Sequence, residues 1–141
     1  MILNQSVTRY EALDEESVIE FIKQTAKVEL VDNEIIKNSI LIKQDEKITG
    51  MVAFELQNQH GIIRYFIYDP YIKPDLLVNM FFELYANAKE RGIHQLVAAV
   101  TNPSTYQLFE LLGFIEIRKS IDQKIFKFNE TDEVSVMSIK L

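Results

Sequence analysis

The segment between residues 76 and 114 constrains the fold more than any other part of this chain. Its first part predicts a helix, because apolar residues recur at three- and four-residue spacing: Leu77, Met80, Phe81, Leu84, Tyr85 and Ala88. Gly92 follows as the usual helix-ending residue. Residues 95–101 then form an apolar run that is typical of a strand buried on both faces. Asn102 begins a second helix as its N-cap, with a proline at N1. The order helix, strand, helix indicates an α/β protein.

The N-terminal part of the chain predicts one helix and a short helical turn. Asp14 is a favourable N-cap for a helix over residues 15–27. Leu13 and Val18 occupy the two positions of a hydrophobic staple, so we expect their side chains to pack together. A single helical turn is predicted over residues 34–37.

Between these helices and residue 70 the pattern favours a β meander. Three strands are predicted there, over residues 39–43, 48–57 and 62–68. The polar turns between them are short, which favours antiparallel pairing. On the middle strand the alternation predicts one shared face for Ile48, Val52, Phe54 and Leu56. Further strands are predicted over residues 114–118, 124–128 and 134–140.

The composition excludes several classes of protein. The length of 141 residues suits one domain, residues 1–141. No stretch approaches the ~20 apolar residues that a membrane span needs, and no signal peptide is apparent, so we expect a cytoplasmic protein with no membrane partner. A net charge of −6 argues against a nucleic-acid partner. With no cysteine and only two histidines, we expect no metal site.

Four segments of the chain resemble the GNAT superfamily of acyl-CoA-dependent N-acetyltransferases. Three of them are Gly50-Met51-Val52-Ala53-Phe54, Ile67-Tyr68-Asp69-Pro70 and Ala88-Lys89-Glu90-Arg91-Gly92. The fourth and most similar begins with Asn102 and ends in Leu108-Phe109-Glu110-Leu111-Leu112-Gly113-Phe114. The family typically has Asn there, followed by Leu-Tyr-Glu-Lys-Leu-Gly-Phe. The resemblance extends over residues 13–118.

This resemblance implies a mixed, mostly antiparallel central sheet of about six to seven strands with helices on both faces. The sheet is expected to splay open between the strand that ends near Tyr68 and the strand that starts near Gln95. Acetyl-CoA would lie in that cleft as the acyl donor. The cofactor contacts implied are Phe66, Ile67, Tyr68, Lys73 and Asn102. A small-molecule or peptide amine is the expected acceptor, on a side lined by residues 28–36.

The chain departs from the family at the pyrophosphate loop, which has the form Arg/Gln-x-x-Gly-x-Gly/Ala. The basic or amide position holds Ile72, and the two glycine positions hold Asp75 and Leu77. Glycines let backbone N–H groups close around phosphate oxygens at a helix N-terminus. Asp75 is expected to bond those N–H groups itself and to repel phosphate, so that only Lys73 favours an anion. In the alternative interpretation, residues 73–75 simply begin a helix.

A second departure concerns the proton donor. Phe109 stands where many family members carry a tyrosine that protonates the departing thiolate, and phenylalanine has no proton to donate. Tyr106, one turn earlier, either replaces that tyrosine through a water or only packs against the core. Glu55 is either a base for the amine or a surface carboxylate paired with Arg64. No residue is therefore assigned to catalysis.

Three hypotheses remain open. The chain is an acetyltransferase with an altered cofactor loop, or it is a GNAT-like domain that has lost the chemistry and binds a ligand or a protein in the same cleft. In the third hypothesis it is a structural α/β domain, and an exposed C-terminal strand, residues 134–141, pairs with a second copy in a homodimer.

Overall fold

The computed structural model describes residues 4–117 and 134–141, which form eight β-strands and four α-helices. The strands are β1 (Gln5–Arg9), β2 (Ser39–Gln44), β3 (Lys47–Gln57), β4 (His60–Ile63), β5 (Ile67–Tyr68), β6 (Gln95–Val100), β7 (Ile115–Glu116) and β8 (Ser135–Lys140). The helices are α1 (Glu15–Ala26), α2 (Asn33–Ile36), α3 (Pro74–Glu90) and α4 (Pro103–Leu111). All the predicted helices are present. The strand predicted over residues 124–128 lies outside the described residues.

The described strands form one sheet in the order β1-β2-β3-β4-β6-β8-β7, with β5 paired to β3. Every ladder is antiparallel except the one between β4 and β6. The predicted mixed, mostly antiparallel sheet is confirmed, although the described residues contain eight strands. β6 lies inside the sheet, and its apolar run is buried at Leu96, Val97 and Ala98.

Helices cover both faces of the sheet, as expected. On one face the core residues of α3 and α4 are Leu77, Met80, Phe81, Leu84, Ala88 and Phe109, and Leu112 directly after α4 joins them. On the other face α1 and α2 contribute Val18, Ile22 and Ile36. Each helix presents an apolar stripe to the sheet, and burial of that stripe stabilises the layer.

A register shift changes which side chains of β3 share a face. The pairing of β3 with β2 skips Thr49, so that one extra residue is inserted into β3. Such a bulge reverses the inward and outward alternation of side chains along the strand. Ile48 therefore packs on the α1 side, whereas Val52 and Phe54 pack on the α3 side. The prediction of one shared face is wrong for Ile48.

Two features near the N-terminus also differ from expectation. The strand β1 was not predicted, because Gln5–Arg9 contains only one aliphatic residue and pairs as an edge strand. The hydrophobic staple is wrong, since the Leu13 side chain is 93% exposed. Asp14 does stand at the N-cap position of α1, but its carboxylate accepts from the Glu11 N–H and from Lys43 Nζ.

The C-terminal strand is an interior strand. All six residues of β8 pair with β6, and Met137 and Ser138 also pair with β7 on the other side. The hypothesis that an exposed C-terminal strand joins two copies is therefore wrong. In the described residues no helix is both long enough and apolar enough to cross a membrane.

Candidate functional site

A bulge divides the third strand of the predicted meander into β4 and β5. Phe54 of β3 pairs with Ile63, whereas Met51 of β3 pairs with Ile67. Between those pairs, residues 64–66 face only residues 52–53 of β3, so the segment 64–66 contains one extra residue. A bulge increases the local twist and bends its strand, and bulges are common beside active sites. The chain therefore changes direction between β4 and β5.

The sheet opens where this bulge begins. The parallel ladder of β4 and β6 runs from the pair His60 and Gln95 to the pair Ile62 and Val97, and it ends there. Beyond Val97, β6 pairs with β8, whereas β5 pairs with β3. Among the described residues no ladder joins β5 to β6. The predicted splay of the sheet is confirmed.

The edge of β5 toward this opening carries backbone groups that β3 does not use. The N–H of Asp69 donates to the carbonyl of Thr49 at 2.8 Å, and Tyr68 pairs with Gly50 at the next position. Hydrogen-bonding positions alternate along an antiparallel ladder, so the N–H and C=O of Tyr68 point away from β3. The carbonyl of Phe66 points the same way, because the N–H of the same trans peptide, that of Ile67, faces β3. The opening is thus bordered by backbone donors and acceptors.

Aromatic rings form an apolar wall on the α3 and α4 side of the opening. The ring centroid of Phe66 lies 5.1 Å from that of Phe81 and 5.6 Å from that of Phe109, both edge to face. Phe109 is in turn 4.8 Å from Phe114, and its side chain is buried. Edge-to-face pairs at these distances are favourable. Phe109 therefore serves the packing of this wall and supplies no acid.

Two positions of the expected pyrophosphate loop belong to the hydrophobic core. Ile72 is 9% exposed and Leu77 is 6% exposed, and both belong to the cluster between α3 and the sheet. A Cβ atom added to Gly50 would lie 3.3 Å from Cδ1 of Ile72, so the Ile72 side chain lies directly against β3. These side chains stabilise the fold and do not face solvent.

The backbone near the start of α3 has few N–H groups left for an anion. The N–H of Tyr71 donates to Asp69 Oδ1 at 2.8 Å, and that of Ile72 donates to the Asp69 carbonyl at 3.0 Å. The N–H of Leu76 donates to the Lys73 carbonyl at 3.0 Å. The proline at N1 has no N–H. A cradle of convergent N–H groups is therefore not formed here.

The charged side chains of this segment are Asp69, Lys73 and Asp75, and all three residues are exposed. In the described part of the chain, the Asp75 carboxylate accepts no hydrogen bond from the first N–H groups of α3, contrary to the prediction. Two carboxylates and one ammonium give the segment one net negative charge. An incoming phosphate is repelled by this balance.

Asn102 and Tyr106 line a groove of about 620 Å³ at the N-terminus of α4. The Oδ1 atom of Asn102 accepts from the Ser104 N–H at 2.8 Å, which confirms the predicted N-cap. The Tyr106 hydroxyl donates to Glu116 Oε2 at 3.3 Å. Partial burial, followed by the negative charges of Glu116 and Glu110, raises the pKa of Tyr106. The phenol therefore stays protonated at neutral pH, with its proton directed to Glu116.

On the α1 and α2 side, the candidate base Glu55 is already paired. Its Oε2 atom lies 2.7 Å from Arg64, which confirms the predicted pairing and neutralises the carboxylate. The Tyr65 hydroxyl accepts from the Asp32 N–H at 3.0 Å and so anchors the segment before α2. Glu55 and Asp32 both line a second groove, of about 330 Å³, together with Arg91.

Sequence reasoning missed two features of this region. The guanidinium of Arg91 donates to the side chain of Asn38 and lies 5.6 Å from the ring centroid of Phe54. The bulge over residues 64–66 was also missed, because Arg64-Tyr65-Phe66 has an ordinary strand composition. Neither feature leaves a local sequence signal, since each depends on contacts with distant elements.

The described residues fit one part of acetyl-CoA and do not fit another. The pantetheine arm is uncharged and carries amides, and the free backbone groups of Phe66 and Tyr68 can bond such amides. The pyrophosphate needs convergent N–H groups or cations. The start of α3 offers instead the buried Ile72, an exposed Asp75 and the single cation Lys73.

Comparisons with models of protein families and with the curated proteins give no match to this sequence. Solved structures do match. The N-acetylglutamate synthase of Neisseria gonorrhoeae, complexed with coenzyme A and N-acetyl-glutamate, aligns with a TM-score of 0.75 and 15% identity. The alignment covers 100% of this chain and 36% of that chain, so this chain spans about a third of the synthase.

Two other matches cover nearly the whole of both proteins. The ribosomal-protein-S18-alanine N-acetyltransferase of Escherichia coli aligns with a TM-score of 0.70 and 17% identity, over 97% of this chain and 94% of that one. A GNAT-family acetyltransferase of Staphylococcus aureus Mu50 aligns with a TM-score of 0.74 and 16% identity, over 97% and 99%. At these identities the similarity shows the fold: this chain has the GNAT fold.

Proposed function

We propose that this protein transfers an acetyl group from acetyl-CoA to the nitrogen of an amine. The observation that carries the proposal is the opening between β5 and β6, bordered by free backbone groups of Phe66 and Tyr68. The solved structures with the same fold include several acetyltransferases, and two of the matching proteins were determined with coenzyme A. The acceptor is a small-molecule or peptide amine.

The residues of this chain would act mainly by binding and orientation. The C=O of Phe66 and the N–H and C=O of Tyr68 hold the donor along β5, and the ring wall that includes Phe109 excludes water from one side. When bound, acetyl-CoA supplies a thioester: a C–N bond forms between its carbonyl carbon and the amine nitrogen, the C–S bond breaks, and the amine proton leaves on the sulfur as CoA thiol. Asn102 keeps its amide nitrogen for the donor, because its oxygen caps α4. Lys73, which the resemblance implies as a contact, is exposed beside two carboxylates, and we assign it no part in holding the donor.

The test is an acetylation assay on a panel of amines, followed by release of free thiol and by mass spectrometry of the product. The informative variant is Tyr68→Pro, which removes the N–H that faces the opening while both neighbouring bonds to β3 remain possible. Tyr68→Ala is the matched control, because it also removes the ring but keeps the N–H. We expect Tyr68→Pro to be about tenfold slower than Tyr68→Ala, the effect of one lost hydrogen bond.

Equal rates for the two variants would show that the donor does not use the edge of β5. A second candidate function is favoured by the core positions of Ile72 and Leu77 and by Phe109: a domain that binds its ligand without chemistry. That alternative predicts binding of coenzyme A with no acetylated product from any amine class.

A further inference from the structure

We infer that this protein recognises its acyl donor through the pantetheine arm, and that the nucleotide end of coenzyme A contributes little to the binding affinity. The inference rests on the proposed function and names its substrate class, an acyl-pantetheine thioester. It follows from a contrast between two adjoining segments, the free edge of β5 and the start of α3.

The start of α3 cannot adapt to a diphosphate without loss of core packing. Ile72 and Leu77 are buried in the cluster between α3 and the sheet, so a basic or glycine residue in their place would remove apolar contacts. The N–H groups of Tyr71, Ile72 and Leu76 are already bonded, each to a backbone or carboxylate oxygen of the same segment. The buried side chains and the bonded N–H groups of this segment therefore stabilise the fold and are not available to an anion.

The charges of the same segment disfavour an anion. Asp69 and Asp75 are exposed, as is Lys73, which is the one cation of the described segment 69–77, and the chain as a whole carries a net charge of −6. One exposed lysine contributes little to binding, because solvent and salt screen its charge. A diphosphate placed here gains one screened attraction and meets two carboxylates.

The edge of β5 has the opposite character. Among the described residues, no strand pairs with the C=O of Phe66 or with the N–H and C=O of Tyr68 on this edge, and these groups are uncharged acceptors and a donor. A pantetheine arm has two amides in an extended chain, so it can add to this edge much as a short strand would. The ring pair of Phe66 and Phe109 lies beside it as an apolar wall for the methylene groups. Recognition is thus concentrated on the arm.

The experiment is a calorimetric titration of the wild-type protein with four ligands that carry progressively less of the nucleotide end. They are coenzyme A, dephospho-coenzyme A, 4′-phosphopantetheine and pantetheine. We expect the four dissociation constants to agree within about threefold, because the removed groups make no more than a screened contact. A loss of about 100-fold or more on removal of the nucleotide would overturn the inference, since charge-assisted bonds to a diphosphate have that value.

Two variants locate the contact. Lys73→Ala should leave the affinity for coenzyme A within about twofold of wild type, because the lysine is exposed and screened. A tenfold loss in that variant would contradict the inference. Tyr68→Pro should weaken all four ligands by the same factor relative to Tyr68→Ala. If Tyr68→Pro weakened the three shorter ligands but not coenzyme A, the affinity for coenzyme A would come from its nucleotide, which would contradict the inference.

The outcomes separate this inference from the proposed function. If none of the four ligands binds, the acetyltransferase function itself fails. If coenzyme A binds and pantetheine does not, the function stands and only the inference fails. An added titration with a carrier domain bearing S-acetyl-phosphopantetheine identifies the source of the arm. Tighter binding than free acetyl-phosphopantetheine would indicate a carrier protein, and equal binding would indicate a small thioester; both results support recognition through the arm.

Discussion

At the residue scale, three positions where the sequence departs from the expected cofactor loop and proton donor, Ile72, Leu77 and Phe109, build the core. Phe109 has aromatic neighbours on three sides, at centroid distances of 5.6 Å to Phe66, 5.6 Å to Phe81 and 4.8 Å to Phe114. Leu77 in α3 is likewise buried. Sequence reasoning identified the missing glycines and the missing tyrosine. It could not identify what these side chains do instead, because their partners lie on distant elements.

The packing role of Phe109 predicts a large loss of stability on truncation. Phe109→Ala should lower the free energy of unfolding by about 3–5 kcal/mol, as is usual for a buried phenylalanine. Phe82→Ala is the matched control, because Phe82 is 60% exposed and its loss should change stability by about 0.5 kcal/mol or less. Denaturant unfolding monitored by circular dichroism measures both. Comparable losses for the two variants would mean that Phe109 is not a core residue.

Tyr85 predicts a pH dependence of stability on the alkaline side. Its hydroxyl donates to the Leu112 carbonyl at 2.8 Å, and burial raises the pKa of the phenol above its ordinary value. The folded state therefore keeps a proton that the unfolded state loses above pH ~10, so this contribution is complete below that pH and declines above it. The slope is at most about 1.4 kcal/mol per pH unit.

The variant Tyr85→Phe isolates this effect. It should cost about 1 kcal/mol at neutral pH through the lost hydrogen bond. Its disadvantage relative to wild type should then shrink as the pH rises above ~10. Chemical unfolding at several pH values gives both quantities. A disadvantage that stays constant up to high pH would show that Tyr85 titrates normally in the folded state.

At the scale of elements, the helices were predictable and the strand irregularities were not. The periodic apolar residues and the punctuating Asn102, Gly92 and Gly113 are local signals, and both glycines adopt the left-handed conformation that such positions require. The bulges at Thr49 and in residues 64–66 leave no such signal, because register is set by the partner strand. The splay of the sheet was therefore expected from resemblance alone, and its physical cause emerged only from the register.

Two substitutions of Asn102, the N-cap residue of α4, should affect stability and ligand binding differently. Asn102→Ala should lower the free energy of unfolding by about 1 kcal/mol, because the bond from the Ser104 N–H is lost. Asn102→Asp keeps an oxygen at the cap and should retain stability, but it removes the amide donor proposed to contact the acyl donor. Thermal unfolding with and without coenzyme A distinguishes the two effects. If Asn102→Asp binds coenzyme A as well as wild type does, the amide is not a ligand contact.

At the scale of the molecule, the sheet is covered by helices on both faces and opens between β5 and β6. The parallel pair of β4 and β6 keeps the two parts of the sheet joined at one end, and the bulge directs β5 away from β6 at the other. The two hydrophobic clusters remain continuous on either face of β3. The opening is thus a property of strand register, so it does not depend on the residues at the start of α3.

Thermal unfolding of the purified protein, with and without millimolar acetyl-CoA or coenzyme A, tests most directly whether the opening is an acyl-donor site. A ligand at 100 times its dissociation constant stabilises the folded state by about 2.7 kcal/mol. For a domain of this size the midpoint should then rise by about 5 °C or more. The Tyr68→Pro variant should show a clearly smaller rise than Tyr68→Ala. An unchanged midpoint of the wild type at millimolar ligand would contradict the acyl-donor site, and with it the proposed acetyltransferase function.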